Sequence, residues 1–106
     1  GMLASFPDLI AEHINRHTWI MMSPQIGLVS DWPNIVAARA PRPLFGGYAL
    51  NDELFPLSGM QSANARLQEL YSAAPAAYEA HWSDSAHACD ESMQLALLKW
   101  LHGIAR

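Results

Sequence analysis

From residue 44 onward the sequence alternates between two hydrophobic patterns, and this alternation limits the possible folds more than any other feature. Residues 44–50, Leu44-Phe45-Gly46-Gly47-Tyr48-Ala49-Leu50, form a short apolar run with no polar alternation. That is the pattern of a strand covered on both faces. Residues 57–73 then place Met60, Ala63, Leu67, Leu70 and Tyr71 on one helical face, and Gln61, Asn64, Arg66, Gln68 and Glu69 on the other. Residues 77–83 predict a second strand. Residues 91–104 predict a closing helix with Met93, Leu95, Ala96, Leu97, Leu98, Trp100, Leu101 and Ile104. It is apolar around most of its circumference and is expected to be well buried. The order strand, helix, strand, helix favours a parallel strand pair joined by a right-handed crossover. The fold class expected is therefore α/β, with a short parallel strand pair flanked by helices in a three-layer-like arrangement.

The breaks between these segments have local causes. Ala74-Pro75-Ala76 interrupts the long helix, and Asp84 to Asp90 reads as a turn. Upstream, residues 31–40 predict a short helix with Asp31 or Trp32 at its cap and Pro33 at its first position. Pro41-Arg42-Pro43 stops it. Residues 6–14 predict another short helix, with Pro7 and Asp8 in its first turn. Residues 18–22 are apolar and fit either a strand or a helical turn. Gly46-Gly47 inside a strand marks a close approach of backbone, not a phosphate loop.

Composition narrows the function classes. The chain has 106 residues, which allows one domain over residues 2–106; Gly1 before Met2 reads as a scar of tag removal. Six Lys and Arg residues, with a net charge of −4, cannot build a broad basic face, so nucleic acid is not an expected partner. A single cysteine, Cys89, excludes an intrachain disulfide framework and a Cys-rich zinc site. No apolar run approaches the roughly 18 residues that span a bilayer, so no membrane role is expected. No signal peptide is visible, which leaves the cytoplasm as the default compartment.

Two residues stand where chemistry is done in parallel sheets. Asp52 lies just past the C-terminal end of the first predicted strand, and His87 lies in the turn after the second. Sites in open parallel sheets sit outside the carboxyl ends of the strands. The two loops should then lie side by side, with carboxylate and imidazole within reach. A carboxylate that accepts from a His N–H fixes the ring tautomer and stabilises the imidazolium, which is the orienting half of a nucleophile–base–acid triad. The plainer reading of such a pair is a loop cap and a surface group.

At these residues the sequence resembles a known family. Ile35-Val36-Ala37-Ala38-Arg39-Ala40-Pro41-Arg42-Pro43-Leu44, Asn51-Asp52-Glu53-Leu54-Phe55-Pro56 and Ser85-Ala86-His87 look like the C-terminal portion of an α/β-hydrolase. The nearest branch is the dienelactone-hydrolase and acetyl-xylan-esterase-like group. The resemblance covers residues 30–106 well and residues 5–29 loosely. It implies a partial hydrolase-like layer arrangement, with Asp52 as the triad acid and His87 as the base of an ester hydrolase. It departs in one respect that matters: the sequence holds no Gly-x-Ser-x-Gly elbow. Ser5, Ser23 and Ser30 precede Asp52, but none has the Gly-flanked context. The chain thus resembles the last third of a hydrolase and is expected to be inactive alone.

Other candidates have plainer readings. His13 and His17 are spaced i, i+4 beside Glu12, a spacing that could bind a metal, but no third ligand is evident and no metal or cofactor is expected. Cys89 could be a thiolate nucleophile; the plainer reading is a buried small apolar group. His81, inside a strand, reads as structural, and Trp19, Trp32, Trp82 and Trp100 as core or interface. An open two-strand edge and an apolar closing helix would face water, so the chain is expected to be a homo-oligomer or to pair with a separate chain supplying the missing hydrolase part. The alternative to a hydrolase is a non-catalytic, self-associating interaction module.

Overall fold

The structure, a computed structural model, describes Pro7 and residues 30–104. Apart from Pro7, the helix expected over residues 6–14 lies outside the described residues, as do the segment 18–22, Trp19 and the His13–His17 pair. Five main elements follow in order: α1 (Trp32–Val36), β1 (Leu44–Ala49), α2 (Leu57–Leu70), β2 (Tyr78–Ser83) and α3 (Glu91–Ile104). Among the described residues, no helix is long and apolar enough to cross a membrane.

Asp31 caps α1, its Oδ1 accepting from the Trp32 N–H at 2.7 Å, and Pro33 sits in the first turn. The helix tightens into a 3₁₀ turn at Ala37–Arg39, and Pro41 and Pro43 prevent continuation. β1 and β2 pair in parallel, with Leu44 opposite Tyr78 and Ala49 opposite Ser83. The protein is thus of mixed α/β content, with helices around a short parallel two-strand sheet.

Side chains alternate across the sheet. Tyr48 and Tyr78 point toward α2, where Ala37, Leu67, Tyr71 and Tyr78 form one buried cluster and Tyr48, Phe55 and Met60 another. Trp82 stacks on Tyr48 with centroids 4.4 Å apart. Within this layer the Tyr78 hydroxyl donates to Asn64 Oδ1 at 2.7 Å and lies 2.8 Å from the Tyr48 hydroxyl. Tyr78 has spent its one proton on Asn64, so Tyr48 donates to Tyr78. Gly46 leaves room for this chain, since a Cβ there would sit 3.0 Å from the Tyr78 hydroxyl.

The opposite face carries Phe45 and Gly47, and α3 packs there. Phe45 and Trp100 have ring centroids 5.6 Å apart, and a Cβ on Gly47 would meet Met93 Sδ at 2.7 Å. The close approach expected at the paired glycines is therefore a helix on one side and a tyrosine pair on the other.

Two expectations need correction. The long helix ends at Leu70, three residues early, because Pro75 forces Ala74 out of the helical region (φ −145°, ψ 67°) and residues 71–74 turn to meet it. The closing helix is not well buried. Met93 alone is fully covered, while Leu95 is 58% exposed, Leu98 61%, Leu101 43% and Ile104 49%. A sheet two strands wide covers a single helical stripe, here Met93, Ala96, Leu97 and Trp100, and the remaining leucines find no layer opposite them.

Candidate active site

Parallel pairing does not stop where the strands do. The Leu50 N–H donates to the Ser83 carbonyl at 2.9 Å and the Asn51 N–H to the Ser85 carbonyl at 3.0 Å. The Asn51 side chain adds a bond from Nδ2 to Asp84 Oδ1 at 2.6 Å. These bonds hold the loop after β1 against the loop after β2, and two side chains meet between them.

Asp52 is fixed by its own loop. Its Oδ1 accepts from the Leu54 N–H at 2.8 Å and the Phe55 N–H at 3.3 Å, the turn that an Asp makes with backbone two and three residues on. Its Oδ2 lies 2.7 Å from His87 Nδ1. The Asp52 side chain is 1% exposed and that of His87 39%. A buried carboxylate is costly unless donors surround it, and three do so here. His87 stands at the apex of a three-residue turn closed by the Ala88 N–H on the Ala86 carbonyl at 2.6 Å. The Phe55 ring lies nearly parallel to the imidazole, with centroids 6.0 Å apart and planes 18° apart.

The arrangement dictates a tautomer. An ionised carboxylate only accepts, so His87 Nδ1 carries a proton. In the neutral ring Nε2 is then the acceptor, and among the described residues nothing is hydrogen-bonded to it. The site can hold an imidazole in one orientation, take a proton at Nε2, and stabilise the resulting cation with a buried negative charge.

The structure brings Asp52 and His87 together, and among the described residues no nucleophile is hydrogen-bonded to His87. Ser30 is half-buried and forms no hydrogen bond with His87; Ser5 and Ser23 lie outside the described residues. Cys89, expected to be buried, is exposed, because the loop from Asp84 to Asp90 is itself mostly exposed. Among the described residues there is no cluster of three metal-ligating side chains. His81 serves the start of α3: its Nε2 lies 3.3 Å from Ser92 Oγ, which donates to Asp90 Oδ1 at 3.0 Å. Asp90 Oδ1 also accepts from the Met93 N–H at 2.9 Å. That backbone bond, with smaller help from Ser92 and His81, holds the Asp90 carboxyl below its ordinary range.

Phe55 and the two backbone donors on Asp52 were not read from the sequence. The signal was present as an Asp followed by three residues and a Pro, the length an Asp-capped turn needs before a helix. No family model matches this chain, and neither characterised proteins nor solved structures give a match.

Proposed function

We propose that Asp52 and His87 are the acid and base of an acyl-transfer site acting on carboxylic esters, and that the nucleophilic hydroxyl comes from a separate chain or a second copy. The observation that carries this reading is the 2.7 Å contact between a 1%-exposed carboxylate and the Nδ1 of an accessible imidazole whose Nε2 has no hydrogen-bond partner among the described residues. A helix on each side of a parallel pair, with the dyad at the strands' carboxyl ends, is consistent with the closing part of an α/β-hydrolase-like layered fold. His87 would deprotonate a hydroxyl held at Nε2 and return the proton to the leaving alkoxide, while Asp52 holds the ring and offsets its charge. The sequence holds no Gly-x-Ser-x-Gly elbow, among the described residues no hydroxyl is hydrogen-bonded to His87, and general-base attack by water is worth roughly 10²–10⁴-fold at best.

Two measurements test this. In ¹⁵N spectra the wild-type His87 should be protonated at Nδ1 when neutral, and Asp52→Asn should move the proton to Nε2; an Nε2–H tautomer in the wild type removes the basis of the reading. Hydrolysis of p-nitrophenyl acetate by wild type, His87→Ala and Asp52→Ala should match buffer in all three. A wild-type rate well above buffer that both variants lose would place a nucleophile within this chain.

A second reading, an interaction module without catalysis, is favoured by the uncovered leucines of α3. It predicts that His87→Ala and Asp52→Ala leave every function of the protein intact.

A further inference from the structure

At the end of the sheet away from the dyad the molecule has a second concave site. Leu44 opens β1 and Asp52 follows its last residue, so the two places are a strand length apart, roughly 17 Å. The cleft has a volume of about 360 Å³ and is lined by Val36, Leu44, Tyr71 and Ile104 together with Arg39 and Arg42. That size falls within the about 300–1,000 Å³ of small-molecule sites, which are mostly apolar with a few placed polar groups. The turn that carries both arginines is pinned. The Ala40 N–H donates to the Ala37 carbonyl at 2.9 Å and the Arg42 N–H to the Arg39 carbonyl at 3.0 Å. The Tyr71 hydroxyl donates to the Arg42 carbonyl at 2.9 Å, and Pro41 and Pro43 restrict the backbone on either side.

Charge says what the cleft takes. Both arginines are exposed, and among the described residues neither forms an ion pair or a side-chain hydrogen bond. Among the described residues no acid lines the cleft, although the chain holds ten Asp and Glu against six Lys and Arg. Two like charges on one turn repel each other, and an anion between them removes that repulsion. A guanidinium presents paired N–H groups that match the two oxygens of a carboxylate. α2 and α3 both end at the cleft, near Tyr71 and at Ile104, and their last carbonyls carry partial negative charge. These oppose a doubly charged phosphate more than a singly charged carboxylate. The rest of the lining is apolar: Val36, Leu44 and Ile104 have no polar side-chain atoms, and the Tyr71 hydroxyl proton is already given to Arg42.

We propose that this cleft binds a small carboxylate with an apolar body, its head between Arg39 and Arg42 and its chain along Val36, Leu44 and Ile104. The site makes no use of Asp52 or His87. Titration of the full chain with octanoate at neutral pH, followed in ¹H–¹⁵N spectra, tests it. Octanoate should bind saturably, shifting signals of residues 36–44, Tyr71 and Ile104 and leaving those of the His87 ring in place. Affinity should rise through acetate, butyrate, hexanoate and octanoate, by up to about fourfold per methylene. Arg39→Gln with Arg42→Gln should raise the octanoate Kd by about tenfold with an unchanged far-ultraviolet circular dichroism spectrum, and Arg42→Lys should raise it by less. Octanoate that never saturates overturns the proposal, as does binding that survives loss of both arginines or shifts centred on His87. Equal affinity for acetate and octanoate overturns the apolar body, and tighter binding of octyl phosphate than of octanoate overturns the carboxylate head.

Discussion

α2 and α3 are both 14 residues long, flank the same two strands and differ in a way their compositions reverse. α2 is the more polar, with Ser58, Gln61, Ser62, Asn64, Arg66, Gln68 and Glu69 along its length, yet it buries Gly59, Met60, Ala63 and Leu67. α3 is leucine-rich, yet only Met93 is fully covered. The cause lies across from each helix. α2 faces Tyr48, Tyr78 and Trp82, with Phe55 and Ala37 closing the ends and Arg66 Nε donating to Asn34 Oδ1 at 2.9 Å. α3 faces a strip whose centre is Gly47. Burial follows the amount of surface opposite a helix, and a polar helix with one fully covered stripe holds a core better than an apolar helix with little to lie against.

The largest test of this contrast removes side chains of equal size from the two helices. Leu67→Ala should cost about 2–5 kcal/mol in urea unfolding, because Leu67 is fully buried. Leu98→Ala, at concentrations too low for association, should stay within about 0.5 kcal/mol of wild type. Equal losses would mean that α3 is as well packed as α2. The intermediate test crowds the weaker side. Gly47→Ala puts a Cβ 2.7 Å from Met93 Sδ and should cost about 1–3 kcal/mol, with marked non-additivity in a cycle with Met93→Ala. Additive losses would show that α3 moves away freely. The smallest effect belongs to the cap. Asp90 has its carboxyl held below the ordinary value of 3.8, so its contribution is present above that value and lost as pH falls through the lowered one. Asp90→Asn should flatten the acid limb of α3 helicity measured by circular dichroism; an unchanged acid limb would separate the cap from the helix. The group is exposed, and salt should shrink the effect.

Much of this was legible in the sequence for a physical reason: periodicity survives wherever one face of an element meets a full layer. The stripe of α2 and the bounds of α3 follow from spacing alone, and the parallel pairing follows from the order of elements. Burial of α3 was misread because periodicity records which residues are apolar, while coverage depends on the width of a sheet that spacing does not reveal. The Asp52–His87 contact was anticipated from the ends of two strands, since parallel strands carry their following loops to the same edge. Phe55 was not, because ring stacking depends on how tightly the Asp52 turn closes, and that is decided by two backbone N–H bonds invisible in a residue pattern. Cys89 was assigned by residue type, and type is outweighed by location in an open loop.

The tyrosine pair under α2 gives the protein a weakness toward alkali. Burial is the main force pushing both the Tyr48 and Tyr78 phenols above their ordinary value of 10.0. For Tyr48 the bond and proximity to Tyr78 add to the shift. Phenols harder to ionise in the fold than in the open chain favour the fold fully below pH 10, and that advantage fades as pH climbs past it. Neither ring can become a phenolate without breaking the chain to Asn64. The near-ultraviolet phenolate band from these two residues should therefore emerge together with loss of the α2 layer, so that absorbance alone reports when the better-packed half of the molecule comes apart.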